Sequence, residues 1–380
     1  MKKKLIRTAT VPLSLSGLLT GQLKFMSNYF EVIGVASNGN NQLQKVSKQE
    51  GIQTIPVEML RHISPFNDLK SLYQLYRVFK KEKPFIVHSI TPKAGLLTMI
   101  AAKLAGVPHR LHTFTGLIFP TKTGMIQKIL IGTDKILCYC ATNIYPEGEG
   151  VKKDLIAYRI TKKPLTIIGN GNVNGIDIDY FSPELFDEHS KSLLKEKLNI
   201  TKDDFVFVFI GRLVRDKGIN ELVEVFTQLT EELNHIKLLL IGDYEEQLDP
   251  LEEKTINLIK SNKHIITTGW VDDVRPYFAI SDVLTFPSYR EGFPNVVMQA
   301  GAMGLPSIVT NISGCNEIVI EGKNGTIIPP KNASLLFKKM QDIKNKKLQF
   351  DARTCRDLIT SRYEQKMLWQ AVLDEYNTLN

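Results

Sequence analysis

The chain has 380 residues, which at roughly 100–200 residues per domain is enough for two domains whose cores need no disulfide or metal. Hydrophobic residues make up 43% of the sequence and charged residues 23%, which excludes a disordered chain and a fibrous protein. The formal net charge of +8 is uneven, because residues 1–180 carry 24 basic and 11 acidic side chains. The asymmetry suggests that this half meets an anionic partner, which could be nucleic acid, a membrane surface or a phosphorylated substrate. A merely basic surface is the alternative.

In the first half, short apolar runs alternate with amphipathic stretches of helical period. The pattern predicts strands at residues 31–37, 85–88, 110–114 and 135–139, and helices at 65–81 and 94–105. Such alternation is typical of a parallel sheet covered by helices on both faces. A strand from residue 135 would place Cys138 and Cys140 on one face. Because the cysteines lack metal-ligand spacing, we expect reduced thiols in a cytoplasmic protein.

The same pattern starts again after residue 180. It predicts strands at residues 205–210, 237–242, 265–270, 283–286 and 306–309, and helices at 218–233 and 363–376. A cluster of glycine and asparagine at residues 169–175 indicates a hinge. We therefore predict an α/β protein of two doubly wound, Rossmann-like domains, residues 1–180 and 181–362, facing a central cleft. The last segment, residues 363–380, is expected to pack back on the first domain, and ligands should bind where the strands end.

The first candidate binding segment, residues 211–218, follows a predicted strand and opens a helix. Gly211 lets the backbone approach a ligand closely, and Arg212 and Lys217 supply two cations suited to a diphosphate. The spacing differs from the GxxxxGK[ST] phosphate loop, and a solvated basic turn explains the spacing equally well.

The second candidate segment is residues 287–300. Pro294 is predicted to be the first residue of a helix, so the amides from Gly292 onward would form an anion site. Glu291 would project from the loop beside that site, where a carboxylate could hold sugar hydroxyl groups. The alternative is an acid that only interacts with the helix dipole.

Together these segments resemble the retaining glycosyltransferases of family four, which have the GT-B fold. The resemblance covers nearly the whole chain, from the first strand and a glycine loop near Gly17 to residues 287–294. The intermediate pieces are residues 174–177, 181–183, 211–217, 269–274 and 281–283. Each piece is short, but their order and spacing together are highly specific.

The resemblance implies a role for each matching position. Arg212 and Lys217 would bind the donor diphosphate and stabilise the leaving nucleotide, and Glu291 would hold hydroxyl groups of the donor sugar. The loop and helix start would contact sugar and phosphate through Gly292, Phe293, Pro294 and Asn295. The family's reaction is front-face displacement, in which the leaving diphosphate helps to deprotonate the acceptor, and it needs no metal or cofactor.

Two positions depart from the family pattern. Position 299 usually carries a second glutamate that binds the ribose, and here it is Gln299. A histidine usually precedes the glycine after the strand at 110–114, and that place is taken by Thr115, with His112 three residues earlier. Because threonine cannot act as a base at neutral pH, we assign no histidine base. Thr115, His112, Gly17 and Gln299 stay among the predicted substrate contacts.

Within the family, residues 291–303 are similar to those of bacterial capsule, exopolysaccharide and O-antigen (lipopolysaccharide) enzymes. The resemblance implies a UDP-sugar donor and an acceptor saccharide carried on undecaprenyl diphosphate, a polyprenyl diphosphate. A basic first domain would dock this acceptor at the anionic inner face of the bacterial cell membrane, as a peripheral protein. Ordinary packing with a solvated face is the alternative for the helices concerned. Their candidate contact residues are Lys70, Arg77, Lys80, Lys81, Lys83, Lys122, Met125, Ile126, Lys128, Ile129, Leu130 and Ile131.

Other functions stay open at this point. Thr115 and Gln299 are compatible with a sugar-nucleotide-binding subunit that has lost catalysis. A GT-B epimerase acting on UDP-N-acetylglucosamine would need cleft carboxylates and histidines that the sequence does not reveal. Nucleic-acid binding lacks a recognisable module. Asp177 and Asp179 match a metal-binding DxD pair, but two carboxylates alone make a poor metal site, so we expect none.

Overall fold

Two parallel sheets of six strands each organise the described residues, 2–60, 64–245 and 249–379, of the computed structural model. The chain divides into two units. Unit 1 is Met1–Gly175 with Gln365–Asn380, and unit 2 is Ile176–Glu364. The corresponding boundaries predicted from the sequence are residues 180 and 362.

The sheet of unit 1 is formed by β1 (Lys4–Thr8), β2 (Glu31–Ala36), β3 (Gln53–Pro56), β4 (Ile86–Ile90), β5 (His109–Phe114) and β6 (Asn143–Pro146). Its order is β3-β2-β1-β4-β5-β6, with every neighbouring pair parallel. The helices before residue 175 are α1 (Pro12–Leu18), α2 (Gln22–Ser27), α3 (Gln42–Glu50), α4 (Pro65–Glu82), α5 (Pro92–Ala105), α6 (Gly124–Cys140) and α7 (Glu149–Ala157).

Unit 1 has an apolar core on each face of its sheet. On one face, Leu75 of α4, Leu97 of α5 and Leu137 of α6 pack over Val87 of β4. On the other face, the core includes buried leucines of α1, α2 and α3. All five residues of β4 are buried, as expected for a central strand of a sheet covered on both sides.

Unit 2 repeats this organisation. Its strands are β7 (Phe205–Ile210), β8 (Ile236–Ile241), β9 (Ile265–Gly269), β10 (Val283–Phe286), β11 (Ser307–Thr310) and β12 (Gly325–Ile328). Its helices are α8 (Glu188–Lys197), α9 (Ile219–Glu232), α10 (Glu253–Ser261), α11 (Arg275–Ala279), α12 (Asn295–Ala302), α13 (Cys315–Ile318), α14 (Ala333–Lys344) and α15 (Ala352–Tyr363). The last helix of the chain, α16 (Gln365–Asn377), belongs to unit 1.

The two sheets have equivalent strand orders. Unit 2 runs β12-β11-β10-β7-β8-β9, so in each sheet the first strand lies beside the fourth, and the order reverses between them. This is the doubly wound, Rossmann-like arrangement, in which ligands bind at the carboxyl edge near the reversal point. The predicted α/β class with two such domains is confirmed.

Some local predictions are wrong. The predicted strand 135–139 is the end of α6, where Leu137, Cys138 and Cys140 are buried while Ile136 and Tyr139 are exposed. This is helical spacing rather than the alternation of a strand. The predicted helix 363–376 is divided at Glu364 between α15 and α16. Gly17 lies within α1 rather than in a loop, and its α-carbon faces open space.

Candidate functional site

The carboxyl edge of the unit 2 sheet brings three loops together. They follow β7, β8 and β10, which are neighbours in the order β10-β7-β8 and run parallel. The loops after β7 and β10 contain the two segments that the sequence singles out, whereas the loop after β8 was not predicted to take part.

Two glycines allow the loops after β7 and β8 to touch through their backbones. Gly211 has a φ of +152°, and its N–H donates to the carbonyl oxygen of Ile241 at 2.9 Å. A side chain at Gly242 would overlap the carbonyl group of Gly211. The close approach therefore explains glycine at both positions, and it fixes where Arg212 leaves the sheet.

A third glycine, Gly218, allows the loop after β10 to lie in direct contact with the start of α9. Gly218 has a φ of +70°, and any β-carbon there would overlap the carbonyl oxygen of Pro287. The N–H of Tyr289 donates to the carbonyl oxygen of Asp216 at 2.8 Å. These backbone contacts bring Lys217 beside Glu291, although the two residues are 74 positions apart.

Lys217 and Glu291 form an ion pair through Nζ and Oε1, with 18% and 13% of their side chains exposed. The hydroxyl of Ser288, which is fully buried, donates to the same Oε1 at 2.7 Å. Thr310 in turn donates its hydroxyl to the carbonyl oxygen of Ser288. Within the described residues, Lys217 and Ser288 both donate to Oε1, so the lone pairs of Oε2 can accept from a ligand hydroxyl group.

Arg212 is the second cation of this edge, and 60% of its side chain is exposed. Its guanidinium forms an ion pair with Glu245, which lies in the loop after β8. Both predicted diphosphate-binding cations are therefore paired with carboxylates in this structure. An incoming anion would compete with Glu245 for Arg212.

The helix after Glu291, α12, starts at Asn295 with Pro294 as its N-cap, one residue later than predicted. Gly314 has a φ of +73°, and a β-carbon there would overlap the carbonyl oxygen of Gly292, so the two loops lie in direct contact. Phe293 is buried, with its ring centroid 5.5 Å from that of Tyr363. This packing holds the first turn of α12 in place.

Two further side chains near this edge, Gln299 and Cys315, are uncharged. Gln299 is half-buried in α12. Cys315 is fully buried, and burial, together with the charge of Glu291, raises the pKa of its thiol well above the usual range. A neutral, buried thiol is not a nucleophile, so the chemistry of this edge rests on Lys217, Arg212 and Glu291.

In unit 1, Thr115 and Gly116 follow β5 at the carboxyl edge of the sheet, and both are half-buried. His112 is also predicted to be a substrate contact, but its side chain lies inside the unit 1 core. His112 is 1% exposed and its Nδ1 lies 2.8 Å from the Ser89 hydroxyl. Burial lowers the pKa of His112 to about 3. Its ring also fills the space beside Gly95, so His112 contributes to packing beneath α5.

The described residues hold no group of three or more His, Cys, Asp or Glu side chains that could bind a metal ion. Asp177 instead accepts backbone hydrogen bonds from Asp179 and Tyr180 at 3.1 and 2.9 Å. This is an Asx-type turn, which gives the Asp177 side chain a structural role. In the same parts of the chain, no helix is long and apolar enough to cross a membrane.

Sequence reasoning missed three residues of the site: Ser288, Thr310 and Glu245. Ser288 lies inside a segment that was singled out, and its position three residues before Glu291 is the signal that could have identified it. Glu245 and Thr310 follow or end other strands, so their partners depend on how the loops meet.

Two family models match the chain. The model "Glycosyl transferases group 1" matches residues 190–364, and the model "Glycosyl transferase 4-like" matches residues 19–147. The chain is 31% identical over 380 residues to the capsular polysaccharide biosynthesis glycosyltransferase CapM of Staphylococcus aureus, covering 99% of this chain and 97% of that protein.

More distant similarities agree with this match. The chain is 29% identical to the UDP-Gal:alpha-D-GlcNAc-diphosphoundecaprenol alpha-1,3-galactosyltransferase of Escherichia coli, over 80% of this chain and 78% of that protein. Among solved structures, Anabaena Alr3699/HepE in complex with UDP superposes with a TM-score of 0.80 at 17% identity, and the whole of both chains is covered. The structural similarity supports the GT-B fold.

Proposed function

Because the chain belongs to the group 1 glycosyltransferases, we propose that it is a retaining enzyme that uses a UDP-sugar. It would transfer a hexose or N-acetylhexosamine to a saccharide on undecaprenyl diphosphate, in the synthesis of capsule, exopolysaccharide or O-antigen. The observation that carries this proposal is the Lys217–Glu291 pair at the carboxyl edge of the unit 2 sheet.

Lys217, Arg212 and Glu291 each have a role in the proposed reaction. Lys217 and Arg212 bind the diphosphate of the donor and stabilise the negative charge that develops as it leaves. Glu291, held by Ser288, accepts hydrogen bonds from hydroxyl groups of the donor sugar. The first turn of α12 would add the positive end of the helix dipole beside the same phosphates.

In the proposed step, a hydroxyl oxygen of the acceptor bonds to C1 of the donor sugar on the face from which the diphosphate departs. The bond between C1 and the β-phosphate oxygen breaks, and its electron pair stays on that oxygen. The acceptor proton passes to the same phosphate oxygen, so no histidine base is required. UDP and the extended saccharide are the products, and the anomeric configuration is retained.

The donor and acceptor classes are inferred from relatives. The Escherichia coli relative is named for UDP-Gal and for a diphosphoundecaprenol-linked acceptor. We propose that the reaction is independent of metal ions, since two basic side chains of unit 2 can neutralise the diphosphate. For a lipid-linked acceptor, the enzyme would work in the cytoplasm, peripherally associated with the anionic inner face of the bacterial cell membrane, without binding nucleic acid.

The test is a panel of UDP-, GDP- and ADP-sugars, offered with a lipid-linked diphosphate saccharide in the presence and absence of EDTA. We expect UDP-sugar-dependent transfer that EDTA does not change, and a product linkage with the anomeric configuration of the donor. In the variants Lys217→Ala and Glu291→Ala, kcat/KM should be at least about 100-fold lower, as is typical when a transition-state contact is lost.

Other outcomes would change the assignment. An inverted linkage would contradict retention, and full inhibition by EDTA that is restored by a divalent cation would contradict metal independence. Binding of UDP-sugars without turnover on any acceptor would favour a sugar-nucleotide-binding subunit, which the Thr115 and Gln299 departures make a real alternative.

A further inference from the structure

Helices α4, α5 and α6 of unit 1 form one layer over a face of the sheet, in which α5 packs against both neighbours. We propose that the outward side of this layer, here called the α4–α6 face, docks on an anionic lipid surface. The inference rests on the proposed lipid-linked acceptor, and it assigns the surface of the protein that contacts the lipid.

The central helix of the layer is apolar on both sides. The inward side of α5 is buried and includes Leu97, Met99 and Ala101. Its outward positions recur at helical spacing and carry Leu96 and Ile100, which are half-buried, and Leu104, which is 64% exposed, beside the exposed Lys103. A helix that covers a sheet usually presents polar side chains outward, and one that is apolar all round is usually buried in protein or lipid.

The flanking helices extend this apolar surface. On α4, Phe66 is 91% exposed, Leu69 65% and Tyr73 60%, at the spacing of one helix side. On α6, the corresponding exposed residues are Met125 (70%), Ile126 (61%), Ile129 (48%), Ile136 (50%) and Tyr139 (71%). Single exposed apolar side chains are ordinary, whereas eight on the two helices that flank α5 form a patch of the kind that marks an interaction site.

The charges around this patch are almost all positive. The exposed basic residues of the layer and of the segment before α6 are Lys70, Arg77, Lys80, Lys81, Lys103, Lys122, Lys128 and Lys135. The acidic residues of α4 are engaged, since Asp68 pairs with Lys93 and Glu82 with Lys4. On α6, Asp134 is half-buried. An apolar patch with a basic, acid-poor rim is complementary to anionic headgroups over an acyl layer.

Four of the eight exposed apolar side chains lie at the starts of α4 and α6. Phe66 and Leu69 lie in the first turns of α4, and Met125 and Ile126 in the first turn of α6. These helices follow β3 and β5, so their first turns lie at the carboxyl edge of the unit 1 sheet, the edge that carries Thr115. Insertion of these turns among the headgroups would bring this edge to the depth of a lipid-borne diphosphate.

The positive charges around the apolar patch favour an anionic lipid surface, rather than a second copy of the chain, as the partner of the α4–α6 face. Two copies meeting through the α4–α6 face would bring like charges together, which opposes association. An anionic membrane instead attracts each lysine and lets its aliphatic stem lie along the apolar surface. Lys103 already lies 3.5 Å from the ring centroid of Tyr139, so basic and apolar groups alternate within the face.

The first experiment is co-sedimentation of the full-length protein with vesicles. One preparation contains equal parts of phosphatidylglycerol and phosphatidylcholine, and the other contains phosphatidylcholine alone. We expect binding to the anionic vesicles that weakens as salt is raised. The triple variant Met125→Ser, Ile126→Ser, Ile129→Ser and the double variant Phe66→Ser, Leu69→Ser should each lose at least about tenfold in affinity.

The matched control is Leu193→Ser, because Leu193 is 53% exposed on α8 of unit 2. This variant should bind vesicles as the wild type does. All substitutions are at exposed positions, and thermal unfolding of each variant verifies that it is folded. The proposal is overturned if the wild type ignores anionic vesicles, or if the α4–α6 variants bind them as tightly as Leu193→Ser. It is also overturned if those variants change only the sedimentation coefficient, by separating a dimer.

A second assay separates this proposal from the proposed reaction. The acceptor is offered either in vesicles or on a short prenyl chain that is soluble in water. The α4–α6 variants should lose turnover only with the vesicle-borne acceptor. Equal loss with both acceptors would overturn the docking proposal. Absence of turnover by the wild type with either acceptor would contradict the reaction, while vesicle binding would still decide the docking surface.

Discussion

A single carboxylate oxygen, Glu291 Oε1, is held by both Lys217 and Ser288. Hydrogen bonds to charged groups contribute about 1.5–3 kcal/mol, so loss of the Ser288 hydroxyl should misplace the carboxylate measurably. We expect Ser288→Ala to lower kcat of sugar transfer by about 10- to 100-fold, with a smaller change in KM for the donor.

The control for this residue is Ser281→Ala, which removes a hydroxyl that donates to the carbonyl oxygen of Tyr277 at 2.7 Å, away from the site. Thermal unfolding of both variants separates positioning from stability. If Ser288→Ala lowers the unfolding temperature but leaves kcat and KM intact, Ser288 has only a structural role.

Glu245 would compete for Arg212, the cation to which the proposed donor binds. The Arg212–Glu245 ion pair is partly exposed, and such pairs contribute about 0.2–1 kcal/mol. We therefore expect Glu245→Gln to lower KM for the nucleotide-sugar about two- to fivefold at low salt, with less effect at high salt. Steady-state kinetics at two ionic strengths measure this change.

Glu224→Gln provides the comparison, because Glu224 pairs with Lys254 at 3.0 Å on a different surface of unit 2. The KM of Glu224→Gln for the nucleotide-sugar should equal that of the wild type. A KM that rises in Glu245→Gln would mean that Glu245 supports donor binding instead of opposing it.

The sequence identifies Arg212, Lys217 and Glu291 because each follows a predicted strand of one parallel sheet, whose carboxyl ends meet at one edge. It does not identify their partners. Glu245 and Thr310 come from other loops, and their contacts depend on glycines such as Gly218 that let backbones touch. His112 shows the opposite case, since its position in a strand says nothing about which face of the sheet it occupies.

At the scale of an element, α6 combines an apolar stripe with one half-buried acid. Burial raises the pKa of Asp134 to about 7. The folded state therefore holds this proton more tightly than the unfolded chain does. The resulting contribution to stability is complete below about pH 4 and is lost as the pH rises through 7.

We expect Asp134→Asn, which stays neutral, to raise the free energy of unfolding at pH 8 by about 1–2 kcal/mol and to change it little at pH 4. Urea unfolding at the two pH values measures this difference. Asp203→Asn, at an exposed position of unit 2, should show no such pH dependence. An equal effect of Asp134→Asn at both pH values would contradict the burial argument.

The same helix shows why element boundaries are hard to predict. Residues 135–139 form an apolar run that fits a buried strand or the buried side of a helix, and periodicity over so few residues cannot separate the two. The continuous run of β7, by contrast, is bounded by turns and has the length of a strand, and its prediction at residues 205–210 is confirmed.

At the scale of the whole molecule, the sequence predicts two doubly wound sheets and an end segment that packs on the first domain, but not the contacts that attach this segment. That attachment depends on α16, whose Tyr376 is 1% exposed in unit 1. The Tyr376 hydroxyl accepts from Arg7 Nη1 at 2.8 Å and lies 2.6 Å from His88 Nδ1. Arg7 and His88 come from β1 and β4, so the contact joins residues 369 positions apart in sequence, beyond the reach of local patterns.

Removing this hydroxyl should therefore destabilise unit 1 in particular. Tyr376→Phe leaves a buried guanidinium and a buried imidazole each short of a partner, at a cost of about 2 kcal/mol, which in a unit of this size lowers its unfolding temperature by about 4–8 °C. Calorimetry measures this change, and under the proposed function added UDP should raise the transition of unit 2 and so identify it. Tyr139→Phe, at a position that is 71% exposed, is the control and should leave both transitions in place. If Tyr376→Phe lowered both transitions equally, the two units would unfold as one, and α16 would stabilise the whole chain rather than the sheet on which it packs.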